Sequence, residues 1–229
     1  MLKINKIFSL LLIVIFVFPA KAHIEHYDSL SVIEFDIYRN NNRIGQHVFS
    51  FEKSGTELLV KSKINFEIKK FGVILYKYFA EGTEIFKNGI LIQFNSKTDQ
   101  NKKIKYVNMK LENNKYIIDG SSYKGEAPKD YVLGTWWNHN IIKAKAQISA
   151  VSGRIIEQNV EFLGKEKITI GDNTFDTLHF NFTSSDKKLK KNKKLNTHVW
   201  YDEKTLNWVK ASFDKKGKWE YRLVRIEHF

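Results

Sequence analysis

The sequence predicts an all-β protein: a large antiparallel meander curled into an open or closed barrel. Apolar and polar residues alternate through residues 32–68, with breaks at Asn40–Asn42 and at Ser54–Gly55. Because strand side chains point alternately to the two faces of a sheet, this stretch predicts three strands joined by tight turns. The same rhythm recurs to the C-terminus and gives about a dozen strands in all. A sheet of that length accumulates twist and exposes its edges, which favours curling.

The next stretch is a strand of a different kind. Residues 73–78 are apolar at every position except Lys77, a pattern typical of a strand covered on both faces. Asn88–Gly89 lies between apolar residues and predicts a hairpin turn, since both positions of such a turn need a positive φ. Further strands are predicted at Ile90–Ser96, Lys103–Glu112, Lys115–Asp119, Ile155–Phe162, Glu166–Ile170, Thr174–Thr183, His198–Tyr201, Trp208–Phe213 and Trp219–Ile226.

Alternation is lost between residues 121 and 144. Within this region we predict one short helix or crossover over 136–146 that packs against the sheet, because Trp137 and Ile141 would share one helical face. Thr135 precedes it and is a candidate N-cap.

The first 22 residues have the pattern of a cleaved signal peptide. Lys3 and Lys6 precede an apolar run, and Ala20–Lys21–Ala22 supplies a small-x-small cleavage site. We therefore expect a periplasmic or secreted protein with residues 23–229 as a single β-barrel-like domain, since no linker rich in Pro, Gly or Ser divides that stretch.

Composition restricts the chemistry. The chain of 229 residues has no cysteine, which excludes disulfides, thiolate metal sites and a lipid-modified N-terminal cysteine. The net charge of +13, which falls to +10 without the three lysines of the predicted signal peptide, favours an anionic membrane surface, an acidic polysaccharide or the cell wall over nucleic acid for an exported protein. The alternative is an ordinary solvated surface that needs no partner. A lysine-rich loop would supply such a contact, although a solvated loop needs no partner. Its lysines are Lys187, Lys188, Lys190, Lys191, Lys193 and Lys194.

Four segments carry a resemblance to a known family. They read FDIYRNNNRIGQHVFSF, FGVILYKY, GTWWN and HVWYDEKTLNWVKASF. The chain resembles secreted bacterial proteins of domain-of-unknown-function family 6134, whose relatives resemble family 3108. The resemblance covers nearly all of residues 23–229 and implies an envelope location and one β-rich domain, but no reaction.

Aromatic residues make up 14% of the chain and predict a binding module. The concave face of the sheet would hold a hydrophobic or amphipathic envelope ligand, such as a lipid. The alternative is that the cluster at 136–139 plugs the barrel as core. The residues predicted to line the ligand site are Tyr76, Tyr78, Trp136, Trp137, Asn138, His139, Trp200 and Trp208.

A second function class stays open. An enzyme of unrecognised type acting on an envelope polymer would use His139 or His198, yet the sequence supplies no serine or carboxylate partner for His139. No phosphate-binding glycine loop, Gly-x-Ser-x-Gly or His-Glu-x-x-His motif occurs, and no cofactor or metal site is predicted. The oligomeric state is not encoded in these patterns.

Overall fold

The computed structural model describes residue 27 and residues 29–190 and 193–229. The predicted signal peptide, residues 1–22, and the expected mature start at His23 lie outside this part of the chain. Its strands are β1 Leu30–Arg39, β2 Asn42–Ser54, β3 Glu57–Lys70, β4 Val73–Lys87, β5 Ile90–Gln100, β6 Lys103–Glu112, β7 Lys115–Gly120, β8 Lys124–Pro128, β9 Val132–Leu133, β10 Ala146–Ile148, β11 Ile155–Ile170, β12 Asn173–Ser184, β13 Asn196–Asp202, β14 Trp208–Asp214 and β15 Lys218–His228.

These strands form one sheet that confirms the all-β prediction. The spatial order runs from β8 down to β1, continues through β15, and then descends from β14 to β9. Successive strands pair antiparallel, except that β9 and β10 run parallel. In the part of the chain that the structure describes, β8 and β9 are the two edges, so the sheet is open.

The sheet curls around the segment that joins β9 to β10, which we call the plug (residues 134–145). On one side the indole Nε1 of Trp137 donates to Oε1 of Glu84 in β4 at 2.9 Å. On the other side the hydroxyl of Tyr201 in β13 donates to the carbonyl of Trp136 at 3.0 Å. Strands far apart in the sheet therefore contact the same short segment.

Trp137 lies at the centre of the hydrophobic core and is fully buried. Three rings meet it edge to face: Tyr27, Phe51 and Phe86, with centroid distances of 5.2, 5.3 and 5.6 Å. Edge-to-face packing of aromatic rings adds about 0.5–1.5 kcal/mol per pair beyond the burial of area. The plug is thus held by the core as well as by hydrogen bonds.

The predicted crossover over 136–146 is present, but its helix is shorter than expected. It is a five-residue 3₁₀ helix, His139–Lys143. The prediction of Thr135 as its N-cap is wrong: the cap is Asn138, whose side chain accepts from the amide of Asn140 at 3.0 Å. The helix starts later because Trp136 has a positive φ of 56°, which no helical residue adopts.

Two other expectations are corrected. The stretches 155–162 and 166–170 form one strand, β11, because Gly164 adopts a φ of 129° and forms a bulge where a turn was expected. The apolar start of β4 is not covered on both faces, since Val73, Ile74 and Leu75 are all at least half exposed. No helix among the described residues has the length and apolar character needed to cross a membrane.

Candidate functional site

A cavity of about 210 Å³ lies between the plug and the inner faces of β2 to β5. Its lining combines aromatic, hydroxyl and imidazole groups, with the exposed carboxylate of Glu81 at its rim. The lining residues that concern us are His47, Tyr78, Thr98, Thr135 and Trp136.

His47 is a polar residue in an apolar position. It alternates with Phe49 and Phe51 along β2, so it faces the core as they do, and only 6% of its surface is exposed. Its ring packs 4.1 Å from that of Phe49 and 5.9 Å from that of Tyr221. Neither ring nitrogen has a hydrogen-bond partner among the residues that the structure describes. Burial lowers the pKa of His47 to about 3, so the imidazole is neutral at physiological pH.

Trp136 places a second unpartnered group on the same cavity. Its φ of 56° is unusual for a bulky side chain and marks local strain. The hydrogen bond from Tyr201 to its carbonyl holds this backbone conformation. Its indole Nε1 is buried and donates to no protein group. Buried donors without a partner are rare in folded proteins and call for an explanation.

The five tryptophans of the chain fall into two groups, according to whether the indole N–H has a hydrogen-bond acceptor in the described structure. Those of Trp137, Trp200 and Trp219 donate to Glu84, to Glu166 and to the carbonyl of Lys215. Those of Trp136 and Trp208 have no partner within the described part of the chain. Their rings are 5.4 Å apart, and the ring of Trp208 is 6.2 Å from that of His47. The buried, unpartnered nitrogens of His47, Trp136 and Trp208 therefore lie in one region of the described structure.

Two threonines add hydroxyl groups to the cavity. Thr98 is close to the Tyr78 hydroxyl and Thr135 is close to the Glu84 carboxylate, where each lowers its neighbour's pKa slightly. Neither hydroxyl makes a hydrogen bond of normal distance and angle. The cavity therefore offers a neutral imidazole, an indole donor and two hydroxyls that can each donate or accept. No lysine or arginine lines it, which favours a neutral ligand over an anion.

Thr135 also lines a second cavity, of about 290 Å³, on the other side of the plug. Glu84, Tyr116 and Asn138 contribute to its wall. Burial raises the pKa of Glu84 to about 7, and the side chains of Trp137 and Thr135 partly oppose that shift. The plug thus contributes residues to the lining of both cavities.

Comparison with known proteins now identifies the family. A family model described as "Domain of unknown function (DUF6134)" matches residues 35–224. The chain belongs to the DUF6134 family. This confirms the family inferred from the four sequence segments, whereas the relation to family 3108 stays a prediction. No curated protein matches the chain.

Among solved structures, the DUF6134 chain is similar to a β-barrel-like protein of domain of unknown function DUF1849 from Brucella abortus. The two share 12% identity with a TM-score of 0.62, over 88% of this chain and 98% of that chain. At this identity the likeness shows a shared fold alone.

The eight predicted ligand residues of the DUF6134 chain do not lie together. Tyr78 and Trp136 line the smaller cavity, and Asn138 lines the larger one. Trp208 packs behind Trp136, and Trp137 fills the core. Tyr76 lies at the far end of the sheet beside Phe66, and Trp200 lies on the outer face.

The two histidines considered for catalysis have structural partners. Nδ1 of His139 lies 2.8 Å from the Tyr27 hydroxyl, which also accepts from the His139 amide at 3.0 Å. His139 is only 2% exposed, which keeps it away from solvent. Burial raises the pKa of Tyr27, so its hydroxyl stays protonated.

His198 belongs to a chain of polar side chains on the outer face. Its Nδ1 lies 2.9 Å from Nε2 of His179, whose Nδ1 lies 2.8 Å from Oε1 of Glu166. Nε2 of His198 lies 3.0 Å from the side-chain amide nitrogen of Asn181. Trp200 stacks on His179 with ring centroids 4.2 Å apart. In the described residues no set of three His, Cys, Asp or Glu side chains is arranged to hold a metal ion.

The lysine-rich loop is partly described. Lys187, Lys188, Lys190, Lys193 and Lys194 are exposed, and Lys191 lies outside the described residues. Contact of these side chains with an anionic surface stays a prediction.

Sequence reasoning missed the residues that set the cavity's polarity: His47, Thr98 and Thr135. One signal was available. His47 occupies an inward position in an otherwise apolar alternation, and a polar residue there needs a partner or a ligand.

Proposed function

We propose that this protein is a non-catalytic binding module that holds a small, neutral, amphipathic ligand in the cavity between the plug and β2 to β5. The observation that carries the proposal is a set of buried polar atoms, without a partner among the described residues, on side chains that line that cavity: both ring nitrogens of His47 and Nε1 of Trp136. Leaving a buried polar group unsatisfied costs about 1–3 kcal/mol, and a ligand that supplies its partners removes that cost.

The size of the cavity sets the size of the ligand. Pockets for drug-sized molecules measure roughly 300–1,000 Å³, whereas an apolar cavity of about 150 Å³ already binds benzene. At about 210 Å³ the cavity suits a single ring or the end of a longer molecule. The small volume of the cavity therefore restricts the expected ligand to a group the size of one ring, since a whole lipid would not fit.

The cellular setting remains part of the proposal. The signal-like N-terminus supports export to the periplasm or beyond, where an amphipathic envelope component would supply such a group. Purification of the mature protein from the exporting cell, followed by N-terminal sequencing, tests this step.

Titration with 4-methylphenol, a neutral ring with one hydroxyl, tests binding by isothermal calorimetry. We expect saturable binding by the wild-type protein. Trp136→Phe removes the unpartnered donor and keeps a smaller aromatic ring, so affinity should fall roughly tenfold, the value of one buried hydrogen bond. Any loss of stability should reflect the smaller ring alone, because the N–H has no partner to lose among the described residues.

Trp208→Phe is the matched control. It also removes an unpartnered indole N–H, but Trp208 does not line the cavity. We expect the control to bind like the wild type even though the buried site loses packing. No saturable binding by the wild type, or equal losses of affinity in both variants, would contradict the proposal.

A further inference from the structure

The hairpin between β3 and β4 projects beyond the rest of the sheet. The pairing of β2 with β3 ends at Phe66, and the pairing of β5 with β4 begins at Tyr78. Residues 67–77, which we call the hairpin tip, therefore form a two-stranded ribbon without a paired strand on either side. An isolated two-stranded ribbon is marginally stable in water, so its composition needs an explanation.

The hairpin tip carries the most exposed large apolar side chain of the described residues, together with three more that are at least half exposed. Phe71 at the apex is 94% exposed, and Val73, Ile74 and Leu75 are 62%, 50% and 56% exposed. Val73 and Ile74 are consecutive in the strand, so they face opposite sides of the ribbon. Leu75 is the extra residue of a bulge, since Ile74 pairs with Lys69 and Tyr76 pairs with Ile68. The tip is apolar on both sides.

The turn at the apex places Phe71 against the local preference of the backbone. Phe71 and Gly72 have φ values of 50° and 78°. Among the described residues, six other hairpin turns begin with a residue at a φ of 49–58°, which is asparagine in four turns (Asn40, Asn88, Asn101 and Asn113) and glycine in two (Gly55 and Gly171). Asparagine tolerates a positive φ, whereas a bulky side chain is a rare exception there. The sequence therefore keeps a large apolar side chain at the one position where it is both strained and exposed.

Lysines flank these apolar residues. Lys69, Lys70 and Lys77 all belong to the hairpin tip, and Glu67 is its only acidic residue. Nζ of Lys70 lies 5.4 Å from the centre of the Phe71 ring. Glu67 pairs with Lys69 at 3.1 Å and with Lys77 at 3.5 Å, which leaves a net positive charge on the tip.

We propose that the hairpin tip inserts into the surface of an anionic lipid bilayer. A protein partner would cover one face of a ribbon, whereas a lipid interface surrounds both faces and the apex. Lysines behind an apolar end reach the headgroups while the apolar side chains enter the acyl region. The net charge, +13 for the whole chain and +10 without the three lysines of the predicted signal peptide, adds long-range attraction to anionic lipid. This surface is separate from the cavity, so the proposal stands independently of ligand binding.

Co-sedimentation with vesicles tests the proposal. We expect the mature protein, residues 23–229, to bind vesicles of equimolar phosphatidylglycerol and phosphatidylcholine, and to bind pure phosphatidylcholine vesicles much more weakly. Raising the salt concentration from about 0.1 M to about 1 M shortens the screening length from about 10 Å to about 3 Å and should release most of the bound protein.

Phe71→Asn separates membrane binding from folding. It gives the turn the residue that four of the other turns use, so the melting temperature should stay the same or rise. Loss of one large apolar side chain should lower vesicle partitioning about tenfold or more. Val224→Ser, at an apolar residue of β15 that is 53% exposed, is the matched control and should bind like the wild type.

Three results would overturn the proposal. The first is a wild type that does not bind anionic vesicles, and the second is equal binding by Phe71→Asn and Val224→Ser. In the third, the wild type forms a dimer in sedimentation equilibrium that Phe71→Asn dissociates, which would assign the tip to contact with a second copy.

Discussion

Replacing Glu84 with glutamine tests the contact between the plug and β4 through the pH dependence of stability. Glu84 is 3% exposed, and its carboxylate accepts a hydrogen bond of 2.9 Å from the Trp137 indole. Glutamine has nearly the same shape and keeps an oxygen acceptor for that indole, but it cannot ionise. The substitution therefore removes a titration and leaves the packing in place.

The magnitude follows from the pKa of Glu84. Burial raises it from 4.5 to about 7. A raised pKa means that the carboxyl group favours the fold fully below pH 4.5, and that this stability is lost as the pH rises through 7. At about 1.4 kcal/mol per pH unit, the difference amounts to about 3 kcal/mol. Glu84→Gln should therefore gain about 3 kcal/mol relative to the wild type between pH 4.5 and pH 8.

Urea unfolding followed by tryptophan fluorescence at a series of pH values measures this difference. Subtracting the wild-type curve from the variant curve cancels the other titrating groups, which act in both proteins. Glu81→Gln controls for the loss of an exposed negative charge on the same strand. A difference curve for Glu84→Gln that stays flat from pH 4.5 to 8 would refute the burial of Glu84 against the plug.

Three further predictions use the same unfolding assay. His47→Phe should remove a loss of stability that the wild type shows in acid. The pKa of His47 is about 3 in the fold against 6.5 in the unfolded chain, so the wild type loses up to about 5 kcal/mol as the pH falls through that range. The same loss of stability at low pH in the variant and the wild type would contradict this. Trp137→Ala should lower the free energy of unfolding by about 3–5 kcal/mol, and a loss below about 1 kcal/mol would show that the plug is not core. Tyr27→Phe removes the hydroxyl that contacts His139 twice and should cost about 1–3 kcal/mol; a neutral result would exclude that contact.

Much of the sheet could be predicted from local pattern. The alternation in β1 to β3 fixes which side chains face the core, and Asn88–Gly89 supplies the φ values of 50° and 75° that its turn needs. The predictions of strand boundaries and burial were wrong where one sequence pattern is compatible with two local structures. Gly164 reads equally well as a turn or as a bulge within a strand. The apolar run at Val73–Tyr78 has the composition of a buried strand, yet its first three residues are exposed. Burial depends on neighbouring strands, and the run itself does not specify those neighbours.

The candidate site depends on contacts that are distant in sequence. Trp136 was expected at the ligand, yet its orphan N–H becomes visible only once the plug is placed against the sheet. His47 and Thr135 are separated by 88 residues and share one cavity because the sheet curls. No local pattern encodes that curl. The sequence could name aromatic candidates, whereas the polar groups that would select the ligand required the fold.

A nuclear magnetic resonance titration of the indole N–H signals tests the central claim most directly. The chain has five tryptophans, so ¹⁵N-labelled protein gives five indole signals, which single Trp→Phe variants assign. On addition of 4-methylphenol we predict a saturable downfield shift of the Trp136 signal, because its free N–H gains an acceptor, and little change at Trp137, which already donates to Glu84. A Trp136 signal that does not move, or five signals that move together without saturation, would contradict the assignment of the cavity as a binding site.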